Sequence, residues 1–487
     1  MAFSRTPEQS TYQTKQIRLV RELNSRGTNA NKDEDYVNFY PEQIKNRNTK
    51  ENELYLVKRD GSSEFIASVA SSSVRGLFFW EKENQLFVAV SDDIYIYNAT
   101  TGALTTTLST AFSTTTGHVG FTEFLYDDGS VKVVATDGTT LQTIDSAGTR
   151  VAGADVDMPV HLPYPVFLDG YLFILAANTA DLYNSELNDP LAYTAGDFIT
   201  AEMLPDQATW VSRLNNYLIV AGNQSIEYFW DAAVATGSPL QRNDTPIKLS
   251  GLLSGMATIG NKMFIIGSHN ESQPDVFMLE DLKMTPVGTE AIRRHLAAIN
   301  FSGVQTIKAS IVSRSGHDLY VFNTGSACYA YDIESKLWAR WAWQTESSFD
   351  LENSVNAAAG DGYKTFFSLS GDSAVYRFDP SLYQDNGTTF PAIVVTDNEE
   401  FDSYNQKTMH RFTLWADKPT ASATGTLQWT DDDYQNYSTG QSIDLYSELP
   451  SVYRLGRFRR RAFKWTFTQN QPHRLKGFEV DINLGNH

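Results

Sequence analysis

One unit recurs along most of this chain: an apolar strand, a short polar turn, and a second strand carrying aromatics. It reads LFVAVSDDIYIYN at 86–98, VKVVATDGTTLQTID at 131–145, YLFILAANTADLYN at 171–184 and YLIVAGNQSIEYFWD at 217–231. It continues as MFIIGSHNESQPDVFML at 263–279, LYVFNTGSACYAYD at 319–332 and TFFSLSGDSAVYRFD at 365–379, with an earlier candidate, LYLVKRDGSSEFIA, at 54–67. The turns hold Asp, Asn or Gly, which tolerate the backbone angles of tight hairpins. The first strand of each unit is apolar on nearly every residue, the mark of a strand covered on both faces.

Most copies begin about 40 to 46 residues apart, the period of a β-propeller blade. The pattern therefore predicts an all-β chain with a β-propeller-like domain of about seven blades over 51–389, against the alternative of unrelated hairpins in two sandwiches. Only TKQIRLVREL (14–23) and EAIRRHLAAI (290–299) read as short helices. From about residue 390 the style changes to longer alternating strands, RFTLWADKP (411–419), GTLQWTDDDYQNYSTGQSIDLY (425–446) and RAFKWTFTQNQPHRLKGFEVDI (461–482), which predict a C-terminal β-sandwich or barrel module over 390–487. Residues 1–50 are left as an N-terminal arm.

Charge sharpens this division. The chain carries a formal net charge of −19, yet 390–487 holds 11 Lys and Arg against 12 Asp and Glu, so the acidity lies almost wholly upstream. Against that background RLGRFRRRAFKWTFT (454–468) gathers Arg454, Arg457, Arg459, Arg460, Arg461 and Lys464 with no acid among them. Alternation puts Phe463, Trp465 and Phe467 on one face of a strand and Lys464 on the other. Folded as a hairpin with GFEVDIN (477–483), Lys464 would meet Glu479 or Asp481. The remaining arginines are left to find a local anion, because charges further off than the Debye length of about 8 Å are screened. No nucleic-acid module accompanies them, so a protein interface, against an acidic face of another subunit, is the expectation.

Catalytic and metal chemistry find little support. The histidines have no metal-ligand spacing, and the single cysteine, Cys328, sits in a strand and reads as a small buried side chain. There is no nucleophile elbow and no P-loop. His317 with Asp318 reads as a strand-entry turn, and TDDDY (430–434) as a solvated turn, with a calcium loop as the alternative. No cofactor and no metal are expected. MAFSRTPEQS lacks an apolar signal core and no apolar run approaches the roughly 20 residues of a membrane helix, so a soluble, cytoplasmically made product is expected.

The order of several segments resembles a known family. DYVNFYPE (35–42), AEMLPDQATWVSRLNNYLIVAGNQSIEYFWDAA (201–233), QPDVFMLEDLKMTPVGTEAIRRHL (273–296) and LPSVYRLGRFRRRAFKWTF with LKGFEVDI (449–482) are similar in order and spacing to the tail-hub or nozzle proteins of short-tailed phages, the packaged-DNA stabilisation proteins. The resemblance runs from about residue 33 to the end. It implies a structural virion protein in the tail, assembled in the bacterial cytoplasm as a homo-hexameric ring below the portal and the adaptor (head–tail connector). Such a ring closes the channel, retains double-stranded DNA without sequence-specific binding, and anchors fibre, spike or needle proteins. With it comes the expectation of an acidic channel wall along which DNA slides. The rival readings are a propeller enzyme degrading surface polysaccharide and a monomeric propeller scaffold or lectin.

Overall fold

The computed structural model describes residues 13–19, 35–45 and 52–485, apart from 224, 235, 245–246, 249, 269–271, 302–305, 346–347 and 361. The repeated hairpins build seven antiparallel sheets. Six of them take their four blade strands from consecutive chain: blade 1 over 74–108, blade 2 over 120–152, blade 3 over 166–200, blade 4 over 208–242, blade 5 over 250–286 and blade 6 over 308–341. Blade 7 has three strands from 351–379 and a fourth, Gly61–Ile66, from the other end of the chain, paired antiparallel to Val375–Asp379 with Phe378 opposite Ser62.

Each blade is apolar on both faces, and each seam between neighbours holds its own core. Phe87 and Ile96 meet Val133 and Ile144 between blades 1 and 2, Phe124 and Val134 meet Leu172 and Ile174 between 2 and 3, and Phe173 meets Val211 and Phe229 between 3 and 4. Ile219 and Tyr228 pack on Met263 and Ile265 between 4 and 5, and Phe264 stacks on Tyr320 between 5 and 6. Val321 and Trp341 face Phe367 and Phe378 between 6 and 7, and Val88 and Tyr97 face Phe366 and Val375 between 7 and 1. Seven seams close the ring, which is why the first strands read as apolar throughout.

The seams around blade 7 add polar ties. Its first strand, Leu351–Ala359, offers mostly Asn, Ser and Ala, so large side chains cannot fill the gap. Asn356 instead accepts from Ser313 N at 3.2 Å and donates to Ile311 O at 3.2 Å, and Asn353 donates to Val74 O at 2.8 Å. These bonds satisfy backbone groups that no ladder reaches.

The C-terminal strands form two stacked sheets. One continues outward from blade 6 in the order Trp338–Trp341, Asp35–Val37, Ala392–Val395, Ala462–Phe467, Thr424–Thr430, Gln441–Asp444. The other runs Phe39–Lys45, Asn52–Lys58, Arg474–Leu484, Lys407–Ala416, Ser451–Phe458, with Gln13–Arg18 also on Arg474–Leu484. Thus from segment 1–50 three strands enter the module's sheets. Phe412, Phe463, Trp465, Phe478 and Val480 fill the space between the sheets.

Three local expectations are corrected. TKQIRLVREL is a β-strand over Gln13–Arg18, because its partner is Arg474–Leu484, with Ile17 opposite Phe478; Val20 to Leu23 lie outside the described residues. LYLVKRDGSSEFIA is no hairpin, since Asn52–Lys58 joins the module while Gly61–Ile66 joins blade 7. The strands Ala462–Phe467 and Arg474–Leu484 do not pair with each other but lie in opposite sheets. Their aromatic faces meet across the core, with Phe463 and Phe478 centroids 6.5 Å apart. The helix expected near 290–299 is Glu290–Ala297, opened by Thr289, whose hydroxyl accepts from Ile292 N.

The link between module and propeller is three consecutive buried charges. Lys58 donates to Gln469 O (2.6 Å) and Tyr383 O (3.1 Å) and lies over the Phe390 ring at 4.5 Å. Arg59 grips both oxygens of buried Asp385, bonds Asn38 Oδ1 at 2.8 Å and stacks on Phe390. Asp60 accepts from Arg314 at the blade 6 hairpin and from Ser315. Burial without a contacting carboxylate pushes the Lys58 ammonium down to about 7, with Arg59 adding to the shift.

Candidate interface on the terminal module

The basic run divides between two roles. Arg461 is 1% exposed and belongs to the core. Its guanidinium makes two parallel bonds to Asp431, at 2.7 and 2.8 Å, donates to Leu455 O at 2.8 Å, and lies over the Phe458 and Trp429 rings at 4.4 and 5.3 Å. Arg460 pairs with Asp433. Lys464 is half-buried over the Tyr437 ring. The expectation that Arg461 faces a partner is therefore corrected: a side chain sealed by its own strand neighbours cannot reach one. Lys464 does not pair with Glu479 or Asp481 either, because those acids lie in the other sheet and are taken by Arg411, at 3.0 and 2.9 Å.

TDDDY supplies the missing anions. Asp431 and Asp433 answer Arg461 and Arg460, while Asp432 accepts from Asn436 N and Nδ2 at 3.0 and 2.8 Å, which holds its carboxyl down at about 2. The alternation of Thr430-Asp-Asp-Asp against Arg459–Arg461 was a legible signal for this, had the two strands been known to be neighbours.

Arg454, Arg457 and Arg459 remain outward. They stand on or just after Ser451–Phe458, an edge strand bonded on one side only, to Lys407–Ala416. A bulge between Met409 and Arg411 shifts the register, and Arg454 (φ 61°) and Gly456 (φ 81°) adopt left-handed backbone there, so Arg454 and Arg457, the two arginines on the strand, are thrown outward. Arg459 donates to Tyr404 O at 3.0 Å. Among the described residues none of the three has a carboxylate partner. Exposed Tyr453 and Tyr404 flank them, giving the arginine–tyrosine composition typical of protein contact patches.

Among the described residues none converge comparably as a catalytic centre. A cleft of about 660 Å³ opens between the hairpins of blades 6 and 7, lined by Arg314, His317, Tyr363, Thr365 and Phe378. Two of its ionisable groups are already engaged: Arg314 with Asp60, and His317 Nδ1 with Asp332 at 3.1 Å, a bond that raises the imidazole's pKa. His317 thus pairs with Asp332 across the sheet and not with adjacent Asp318. His161 bonds Thr136 Oγ1, and His473 accepts from Trp465 Nε1 at 2.9 Å, with burial pushing it down to about 3. Cys328 is buried in blade 6, and burial pushes its thiol far up. Among the described residues no three His, Cys, Asp or Glu side chains are grouped to hold a metal.

The closed ring of blades has a family counterpart. The model of a phage stabilisation family, described as bacteriophage P22 Gp10, beta-propeller, matches residues 19–356. The chain belongs to this family. It is a phage structural protein of the kind that stabilises packaged DNA, and a virion component. No curated protein matches the chain. Among solved structures, the Neurospora crassa Pan2 WD40 domain is similar at 10% identity and a TM-score of 0.44, over 65% of this chain and 95% of that one. Virginiamycin B lyase from Staphylococcus aureus is similar at 11% identity and 0.41, over 70% and 98%. Neither likeness bears on function.

Proposed function

We propose that the protein is the tail-hub or nozzle subunit of a short-tailed phage. Six copies form a ring below the portal and adaptor, close the channel on the packaged double-stranded DNA, and carry fibres, spikes or a needle. Assembly takes place in the bacterial cytoplasm, and the ring ends in the virion tail. Family membership is the observation that carries this reading. A wheel sealed by seven apolar seams supports it, because such a body transmits load without opening. We read the chain as working by shape and contact, with the blades of 61–379 as the propeller unit, 390–487 together with the strands before residue 59 as the module, and an acidic channel wall.

The test is genetic and structural together. Heads made without the chain should leak DNA and lose protection from nuclease, and the wild-type chain should restore retention. The chain carrying R454E, R457E and R459E should fold yet fail to restore it. Retention that is unaffected by loss of the chain, or purified chain that shortens a capsule polysaccharide, would contradict the proposal.

A further inference from the structure

The free arginines sit at one extreme of the molecule. The first module sheet leaves blade 6 and ends, five strands later, at Gln441–Asp444, roughly 24 Å out at about 4.8 Å per strand. In the second sheet Phe39–Lys45 touches blade 6, and Ser451–Phe458 touches Gln441–Asp444. Ser451–Phe458 is therefore the tip. Between Tyr446 and Arg459 a single acid, Glu448, stands against three arginines.

At the opposite extreme lies a surface of the reverse character. In a ring of seven, the point across from blade 6 is the boundary between blades 2 and 3. There the connection after Arg150–Ala152 crosses the rim. Gly153 N bonds Leu141 O on the third strand of blade 2, and Asp155 accepts from Tyr193 N on the outer strand of blade 3, so the loop bridges the two blades. Its crest projects Val156, 95% exposed, next to Asp157, with Val160 also exposed. From residue 151 to 212 there are nine acids and no Lys or Arg, which makes blade 3 and its entry loop the most one-sided part of the chain.

We infer that these two ends bind each other between copies: the Tyr453–Arg459 tip of one copy seats on the Val156–Asp157 crest of the next. The pairing matches charge with charge and gives the exposed valine an aromatic partner in Tyr453. It is a heterologous contact, in which unlike patches at opposite ends join successive copies, the kind that generates a closed ring when the rotation closes. The inference rests on the reading of the chain as a ring subunit, and it assigns the arginines to the subunit contact in preference to the adaptor.

Particles assembled from variant chains test it. R454E/R457E/R459E and V156K/D157K each change exposed positions, and each should cut incorporation of the chain at least tenfold. The two sets combined in one chain should restore incorporation to within about threefold of wild type. Independently, a chain with Tyr453→Cys and Val156→Cys should form disulfide-linked ladders in particles under oxidation, and neither single variant should; the native Cys328 is buried and stays silent. If the charge sets act alone but do not rescue each other, the arginines meet another partner and the inference fails. If the doubly substituted cysteine chain enters particles and gives no ladder, it fails as well. Wild-type chain absent from particles overturns the ring reading itself.

Discussion

Asp431→Asn isolates the part of the basic run that belongs to the fold. The substitution keeps the shape of the side chain and removes the charge facing Arg461, which is 1% exposed while Asp431 is 39% exposed. Two charge-assisted bonds, at 2.7 and 2.8 Å, are weakened, each worth about 1.5–3 kcal/mol. The guanidinium keeps Leu455 O and the Phe458 face. Removing one member of a buried pair costs about 3–5 kcal/mol; the half-open position of Asp431 and the amide's remaining acceptor reduce this to about 2–3 kcal/mol. Urea unfolding followed by tryptophan fluorescence reads the module directly, since Trp429 and Trp465 lie beside the pair or in the same core. Arg457→Ala on the exposed edge is the control and should stay within about 0.5 kcal/mol of wild type. Equal effects from the two variants, or no effect from Asp431→Asn, would refute the division of the basic run into a buried half and a free half.

Two further outcomes follow from the junction. Gly61→Ala would place a Cβ 2.1 Å from Gln384 O and 2.6 Å from Gln384 N, both backbone, so the outer strand of blade 7 cannot seat; a loss above about 3 kcal/mol in the urea transition, or insoluble protein, is expected, and a wild-type transition contradicts the strand exchange. For Lys58, the folded-state pKa of about 7 lies below the ordinary 10.5, so between those values the unfolded chain holds a proton that the folded chain does not. Stability of wild type relative to Lys58→Met should therefore rise with pH from about 7 to 10.5, and a pH-independent difference would show that burial does not depress this lysine.

How far the sequence could be read depended on how far apart the partners lie. The hairpins of blades 1 to 6 were legible because strand, turn and strand are adjacent. In blade 7 the hairpin of 365–379 was legible in the same way, but its fourth strand was not, since Gly61–Ile66 pairs with Val375–Asp379 and no local pattern announces a partner some three hundred residues away. TKQIRLVREL shows Ile17, Leu19, Val20 and Leu23, which fits a helical stripe, and over Gln13–Arg18 an open edge on Arg474–Leu484 decided otherwise. The arginines were legible as a cluster, but their answer at Asp431 and Asp433 required the register of Thr424–Thr430 against Ala462–Phe467, where Thr430 faces Ala462. Alternation identified the aromatic face of Ala462–Phe467 correctly and its partner strand incorrectly, because a sandwich and a hairpin present the same alternation.

The most direct measurement is a cryo-electron reconstruction of the tailed particle with sixfold averaging below the portal. A ring is expected in which each copy is a seven-bladed wheel with a lateral two-sheet module. Particles that lack the chain, or that hold it elsewhere than around the channel, would contradict it.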